Sequence, residues 1–461
     1  MTTPADLLTT FSPIRVYGKV HRIVGLVVEG TCGRSSIGSL CEILPLQGGE
    51  PVAAEIVGYN DNRALLMPLG ELRGLGPGSR IQVKKELATI SVGDALLGRV
   101  IDGMMRPLDT GPPLILPHEQ ELYALPPDPM QRDVIKEPLD LGIRAINGLL
   151  TCGVGQRMGI MAGSGVGKSV LLGMMAKYAR ADINVIALIG ERGREVREFI
   201  ERDLGPEGLA HSVILAVTSD QSPLLRMRGA FVATAIAEYF CQQGKNVLLM
   251  MDSVTRFAMA QREIGLSIGE PPTTKGYTPS VFAALPKLLE RAGNFQNQGS
   301  ITGLYTVLVD GDDLTEPVAD SVRSILDGHI VLSRSIAAKN HYPAIDIMMS
   351  ASRVMRDITT PRHRELAGKA RSVMAVYRES EDLINIGAYA AGSNKNIDYA
   401  ISRIDAINEF LTQQVEEASS LEETIAALGE VVSDRQGTDR RRTGRKGLNR
   451  RKSDQPGEDE A

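Results

Sequence analysis

Tryptophan is absent from the 461-residue chain, and Phe and Tyr together make up only 4% of it. Proteins that hold single-stranded nucleic acid stack its bases on exposed aromatic rings, so this scarcity weighs against that class. The charge balance points the same way. Lys and Arg number 51 and Asp and Glu 56, a net charge of −5, whereas affinity for a phosphate backbone comes mainly from cationic side chains. No nucleic-acid partner is expected. Cysteine is scarce: Cys32, Cys41, Cys152 and Cys241 form no CxxC pair and no metal-ligand spacing, and they read as reduced thiols of a cytosolic protein. No run approaches the roughly 18 consecutive apolar residues of a membrane-spanning helix. Met1-Thr2-Thr3-Pro4-Ala5-Asp6 has neither the basic start nor the apolar stretch of a secretory signal. The expected location is the cytoplasm.

What is present is ordinary globular composition, 43% hydrophobic and 23% charged, on a length that suggests about three domains. Residues 1–90 hold strand-like runs, Ile14–Val20, Ile23–Glu29, Glu55–Gly58, Arg63–Met67 and Arg80–Val83, separated by Gly- or Asn-rich turns, the pattern of a small β-barrel. Residues 91–134 are rich in proline, with Pro107, Pro112, Pro113, Pro117, Pro126, Pro127 and Pro129, and read as a linker running over the surface into the core. Residues 135–370 alternate helical patterns with short continuous apolar runs: Arg157–Ala162, Val185–Ile189, Val213–Val217, Val247–Met251 and Ile301–Val309. Strands apolar on both faces belong to a buried, mostly parallel sheet, so this is an α/β core. Residues 371–432 read as a helical domain, with Ile397, Ile401, Ile404 and Leu411 at helical spacing. Residues 433–461 hold nine basic and six acidic residues, a tail of +3 that leaves −8 on the body. The tail has almost no apolar residues and is expected to be disordered. It is either a solubilising segment or a contact for a partner or membrane surface.

The strongest local signal is Ala162-Gly163-Ser164-Gly165-Val166-Gly167-Lys168-Ser169-Val170, lying between an apolar run and a helical pattern. That context marks a phosphate-binding loop. Glycines let backbone N–H groups turn onto phosphates, and the following helix points its positive end at the same anion. Lys168 would reach the terminal phosphates and Ser169 would offer its hydroxyl to Mg²⁺. Ala162 stands where glycine is usual, which is tolerable if its φ is negative. Val247–Asp252 is an apolar strand ending in an acid, suited to hold Mg²⁺ at the carboxyl end of the sheet. Glu191, in Gly190-Glu191-Arg192-Gly193-Arg194-Glu195, follows another apolar run. It is either the group that orients an attacking water or one of a cluster of surface ion pairs at a helix start.

Further motifs accompany these: Pro138-Leu-Asp-Leu-Gly-Ile-Arg-Ala-Ile-Asn147, Asp252-Ser-Val-Thr-Arg256, Pro279-Ser-Val-Phe282 with Leu289-Glu-Arg-Ala-Gly293, Asp312-Asp-Leu-Thr-Glu-Pro317 and Pro343-Ala-Ile-Asp-Ile-Met-Met-Ser-Ala-Ser-Arg353. Over roughly residues 14–415 the chain resembles the rotary ATP synthase head subunits and their secretion relatives. Val170-Leu-Leu-Gly-Met-Met175, Ile189–Val196, Gln261-Arg-Glu-Ile264, Gly269-Glu-Pro-Pro272, Gly387-Ala-Tyr389 and Gly392-Ser-Asn-Lys395 look like the flagellar type III export branch. The resemblance implies a RecA-like core and a Mg²⁺-dependent ATPase that promotes export of flagellar proteins. It implies catalytic roles for Lys168, Glu191, Arg192 and Arg353, with Arg353 an arginine finger acting in trans in a homohexamer. The implied partners are an export regulator or stator protein, a central stalk protein, substrates with their chaperones, and a membrane export gate. The implied location is peripheral to the inner membrane.

Injectisome export is the alternative. A synthase catalytic subunit is disfavoured because Gly392-Ser-Asn-Lys-Asn396 is not acidic, and a non-catalytic ring subunit because Glu191 and Lys168 are both present. An RNA-translocating hexamer is disfavoured by the acidic body. Export ATPases carry a longer N-terminal regulator-binding extension than Met1–Ser12, whose only apolar anchors are Leu7, Leu8 and Phe11, so that contact is expected to be altered. No adenine-stacking aromatic is evident, since Pro361-Arg362-His363-Arg364 contains none.

Overall fold

A computed structural model describes residues 16–433 except Asp310 and Asp312. The expectations for Met1–Ser12 and for the tail beyond Ser433 lie outside the described residues.

Six strands close an N-terminal barrel: β1 (Gly18–Val24), β2 (Val27–Thr31), β3 (Leu40–Leu44), β4 (Val52–Asn60), β5 (Arg63–Pro68) and β6 (Arg80–Lys85), in the order β1-β2-β5-β4-β3-β6. Alternating side chains, Val28, Ile43, Ile56, Leu66 and Ile81 among them, fill its interior. Gly25, with φ of 57°, makes the β1–β2 turn. That turn cuts through the run Ile23–Glu29, which the sequence pattern treats as one strand. Apolar residues on both sides of a tight turn look continuous when only hydrophobicity is read.

The proline-rich segment is more than a surface linker. β7 (Thr89–Val92) pairs with β9 (His118–Glu121), and between them β8 (Val100–Ile101) joins the central sheet beside a core strand. Leu96, Ile101 and Leu122 are fully buried. A two-residue strand is too short to show a period, so its pairing was invisible in sequence.

A small pair, β10 (Pro138–Leu139) and β11 (Cys152–Gly153), leads into the core. The central sheet comprises β12 (Arg157–Ala162), β13 (Ile183–Glu191), β14 (Ser212–Thr218), β15 (Asn246–Asp252), β16 (Gly293–Asn294), β17 (Ser300–Leu308), β18 (Gly328–Leu332) and β19 (Ala351–Ser352). Its order is β19-β18-β12-β17-β15-β13-β14-β8, with β16 antiparallel to β17 and β19 antiparallel to β18, and every other pair parallel. All six residues of β15 after Asn246 are buried, as a strand covered by helices on both faces requires. The helix Pro223–Gln242 covers one face. Ser222 caps it by accepting from Leu225 N–H, and Pro223 occupies its first turn. This helix also reaches the barrel, where buried Arg228 pairs with buried Glu55 at 3.3 Å.

After the short helix Met355–Ile358 come three longer ones, Pro361–Asn385, Lys395–Leu411 and Leu421–Val432. The first runs through residue 370 without a break, so a boundary there divides a single element. The helix begins at the Thr360 cap, whose side chain accepts from His363 N–H. His363, Leu366, Ala367 and Ala370 bury its opening turns against the core. In the second helix Ala400, Ile404, Ile407, Phe410 and Leu411 face inward, while Ile401 is 37% exposed. No helix among the described residues is long and apolar enough to cross a membrane.

Candidate active site

β12 lies between β17 and β18, and its carboxyl end opens into the glycine-rich loop. Ala162 is the last residue of β12 and so is extended, without the left-handed conformation that would exclude a methyl group. Gly165 and Gly167 take φ of 79° and 89°, a region closed to most L-residues. The loop turns through them into the helix Lys168–Tyr178, whose N-terminal N–H groups and dipole face the loop. A cleft of about 430 Å³ opens here, lined by Ala162 to Gly165, Gly167 to Val170, Gly190, Glu191, Arg192 and Arg256, among others. Val166 does not line it, since its side chain is 2% exposed and packs into the core.

Three charged groups meet under this loop. Lys168 Nζ donates to Asp252 Oδ1 at 2.5 Å and lies 3.9 Å from Glu191 Oε1. Asp252 ends β15, is 4% exposed, and accepts a second hydrogen bond from Thr306 Oγ1 at 2.7 Å. Glu191 ends β13. Its Oε1 is buried and accepts no hydrogen bond among the described residues. Burial pushes the Glu191 carboxyl up to about 7, the negative charge of Asp252 adds to the rise, and Lys168 opposes it. A carboxyl that titrates near neutral pH beside such a cleft can accept a proton at cellular pH.

Arg192 follows Glu191, lines the cleft and pairs with Glu195 at 3.2 Å, with its side chain largely exposed. Ser169 also lines the cleft, as the second residue of the helix. Arg353 is not brought to it. It follows β19, which pairs with the start of β18, so it sits at the end of the sheet away from the loop. There it is exposed and donates to Arg323 O at 3.2 Å.

Two features escaped the reading of the sequence as site residues. Arg256, in the first turn of the helix Val254–Ser267, lines the cleft with its Nε buried and unpartnered among the described residues. Gly190 explains how it passes: a Cβ there would lie 2.9 Å from Arg256 Cβ. The second is Tyr342. A more apolar cleft of about 440 Å³ shares Gly165, Gly167 and Val170 with the first and continues between Leu171, Met174, Tyr342 and Val415. The Tyr342 ring packs against Gly167, where a Cβ would sit 3.5 Å from it. It brings an aromatic ring to the loop, where Pro361–Arg364 supplies none. In that stretch His363 is instead buried and its Nε2 bonds Gly148 O at 2.8 Å. Tyr342 immediately precedes the motif Pro343–Arg353, but that motif does not say which of its neighbours reaches the loop; the fold carries Tyr342 there.

The two clefts share Gly165, Gly167 and Val170, so a glycine-lined cradle adjoins a more apolar slot. The nucleotide-binding domain of the ATP synthase alpha/beta family matches residues 142–352. The C-terminal domain of the type III secretion ATPase EscN matches residues 359–430. The chain is 54% identical to a flagellum-specific ATP synthase of Bacillus subtilis, over 92% of this chain and 97% of that one. It is 50% identical to a type 3 secretion system ATPase of Xanthomonas euvesicatoria, over 94% and 98%. The assembled ATPase EscN of enteropathogenic E. coli superposes with a TM-score of 0.84 at 48% identity, covering 90% of this chain and all of that one. A second structure of EscN, in complex with its central stalk EscO, gives 0.83 at the same identity, with 90% of this chain and all of that one covered.

Proposed function

The chain belongs to the ATP synthase alpha/beta family, in its flagellar and type III secretion branch, and from that premise we propose that it hydrolyses ATP to promote export of flagellar proteins. One observation carries the chemistry. Lys168, Asp252 and a near-neutral Glu191 converge under a glycine cradle whose far end opens beside an aromatic ring. Tyr342 stacks the base in the apolar slot. The loop N–H groups and Lys168 hold the phosphates, and their fixed positive ends stabilise charge that builds on the transferred phosphoryl group. Glu191 orients the attacking water and accepts its proton. Arg192 lines the terminal phosphate.

Mg²⁺ fits the donor set. The Ser169 hydroxyl and the Asp252 carboxylate are hard oxygen ligands on adjoining elements. No cluster of three or more His, Cys, Asp or Glu among the described residues would hold a metal unaided, so Ser169 and Asp252 would hold the ion together with its substrate. When bound, the ion draws charge from the β- and γ-phosphates.

Arg353 stands outside its own chain's cleft, so as a finger it serves a neighbouring subunit of a homohexameric ring. A central stalk protein is the second partner. A regulator or stator protein, substrates with their chaperones, and the membrane export gate complete the expected set, with the ring in the cytoplasm at the inner membrane. Export through an injectisome is the second reading, favoured by the 50% identity to a secretion-system ATPase. A strain carrying Lys168→Ala distinguishes them. Loss of motility and of flagellar secretion, with hydrolysis lost in the purified protein, is the expected result. Intact motility with hydrolysis lost would overturn the flagellar assignment.

A further inference from the structure

The wall of the apolar slot opposite the loop helix does not belong to the α/β core. It is the segment 412–415, which leaves the second C-terminal helix. Gln413, 3% exposed, engages both side-chain polar atoms and its backbone N–H. Its Oε1 accepts from Arg144 N–H at 2.8 Å, its Nε2 donates to Gly142 O at 2.8 Å and Glu417 O at 2.6 Å, and its backbone N–H donates to Tyr342 O at 2.9 Å. Arg144 opens the helix Arg144–Leu149 and sends its guanidinium into the same segment. Its Nε donates to Phe410 O at 2.8 Å, its Nη2 donates to Thr412 O, and it pairs with Glu417. Tyr178, at the end of the loop helix, donates its hydroxyl to Val415 O at 2.9 Å.

We propose that Arg144 and Gln413 are positioning residues for the nucleobase, a role that rests on the nucleotide reading of the site. They hold segment 412–415 and the Tyr342 backbone at the spacing from the loop helix that admits a flat ring. Tyr342 is 40% exposed, and a stacking platform works only at contact distance. A gap of about 0.5–1 Å forfeits a quarter to a half of the attraction of each atom pair. Phosphate contacts, made by the loop itself, do not depend on this tie.

The test compares two ligands on the purified full-length protein by calorimetry, magnesium ATP and magnesium tripolyphosphate, the second having no base. Arg144→Ala and Gln413→Ala should each weaken ATP about tenfold, roughly 1.4 kcal/mol, and leave tripolyphosphate within about twofold. Arg144→Lys keeps the charge but loses the planar fork, is gentler on the fold, and should show a smaller loss confined to ATP. Gln413→Ala combined with Tyr342→Ala should bind ATP no more weakly than Tyr342→Ala alone, because both act on one contact. Equal losses for both ligands, unchanged ATP affinity, or additive effects in the double variant would each overturn the proposal. A wild-type protein that bound tripolyphosphate as tightly as ATP would remove the base subsite itself. One that bound neither would overturn the nucleotide reading.

Discussion

Glu191→Gln should make a poorer enzyme and a more stable fold, and the gain in stability should depend on pH. Burial first, then Asp252, raise the Glu191 carboxyl from its ordinary 4.5 to about 7. Below 4.5 the group is protonated in folded and unfolded chains alike, and the site carries no penalty. As pH rises toward 7 the unfolded chain releases this proton more readily than the folded one, so stability falls, and the full penalty is present above about 7. At ~1.4 kcal/mol per tenfold in proton affinity the span amounts to at most roughly 3 kcal/mol. Glutamine keeps the shape and cannot ionise, so it should recover much of that penalty. The variant's thermal unfolding midpoint should therefore exceed the wild type's at about pH 8 and match it near pH 4. Turnover should fall by about 10²–10⁴, the usual contribution of a positioned base. The wild-type rate should climb as pH passes through about 7, and the variant should lack that limb. Phosphate release at saturating magnesium ATP and differential scanning fluorimetry supply both readouts. A variant with near-normal turnover, or one whose midpoint moves equally at both pH values, would refute the reasoning.

Lys168→Ala should lower turnover by at least about 10²-fold and also destabilise the protein, because Asp252 is then left buried without its cation; phosphate release and thermal melts check the two effects. Arg353→Ala should reduce kcat by about 10³–10⁵ while ATP affinity changes far less, and adding a chain with an inactive cleft but intact Arg353 should restore activity to mixed rings; failure of that complementation would place the arginine's effect within its own chain. Tyr342→Ala should lose about 1–3 kcal/mol of ATP affinity, the worth of one base–aromatic stack, and Tyr342→Phe should keep most of it, as equilibrium titration would show.

The core was legible because its physics is local. A strand buried on both faces must be a continuous apolar run, and β13, β14 and β15 are such runs. A loop that turns its N–H groups inward needs glycine at fixed places, and Gly165 and Gly167 occupy them. Tyr342 was not legible because its meeting with Gly167 is made by the path of the chain between them. β8 was missed because two residues have no periodicity. A boundary at 370 divides the helix Pro361–Asn385 because its buried residues His363, Leu366, Ala367, Ala370 and Val373 lie mostly in its first half, so one continuous element passes from the core to the surface.

The short strand β8 also governs how this protein can be cut. It supplies the outermost row of hydrogen bonds to β14 while lying ahead of the core in sequence. A fragment beginning at residue 135, after the prolines, would carry a complete ATP cleft and yet leave the edge of β14 bare. Such an edge is a template for pairing with another chain. Soluble fragments should therefore start before Val100, and aggregation of the shorter ones would reflect a missing row of backbone partners.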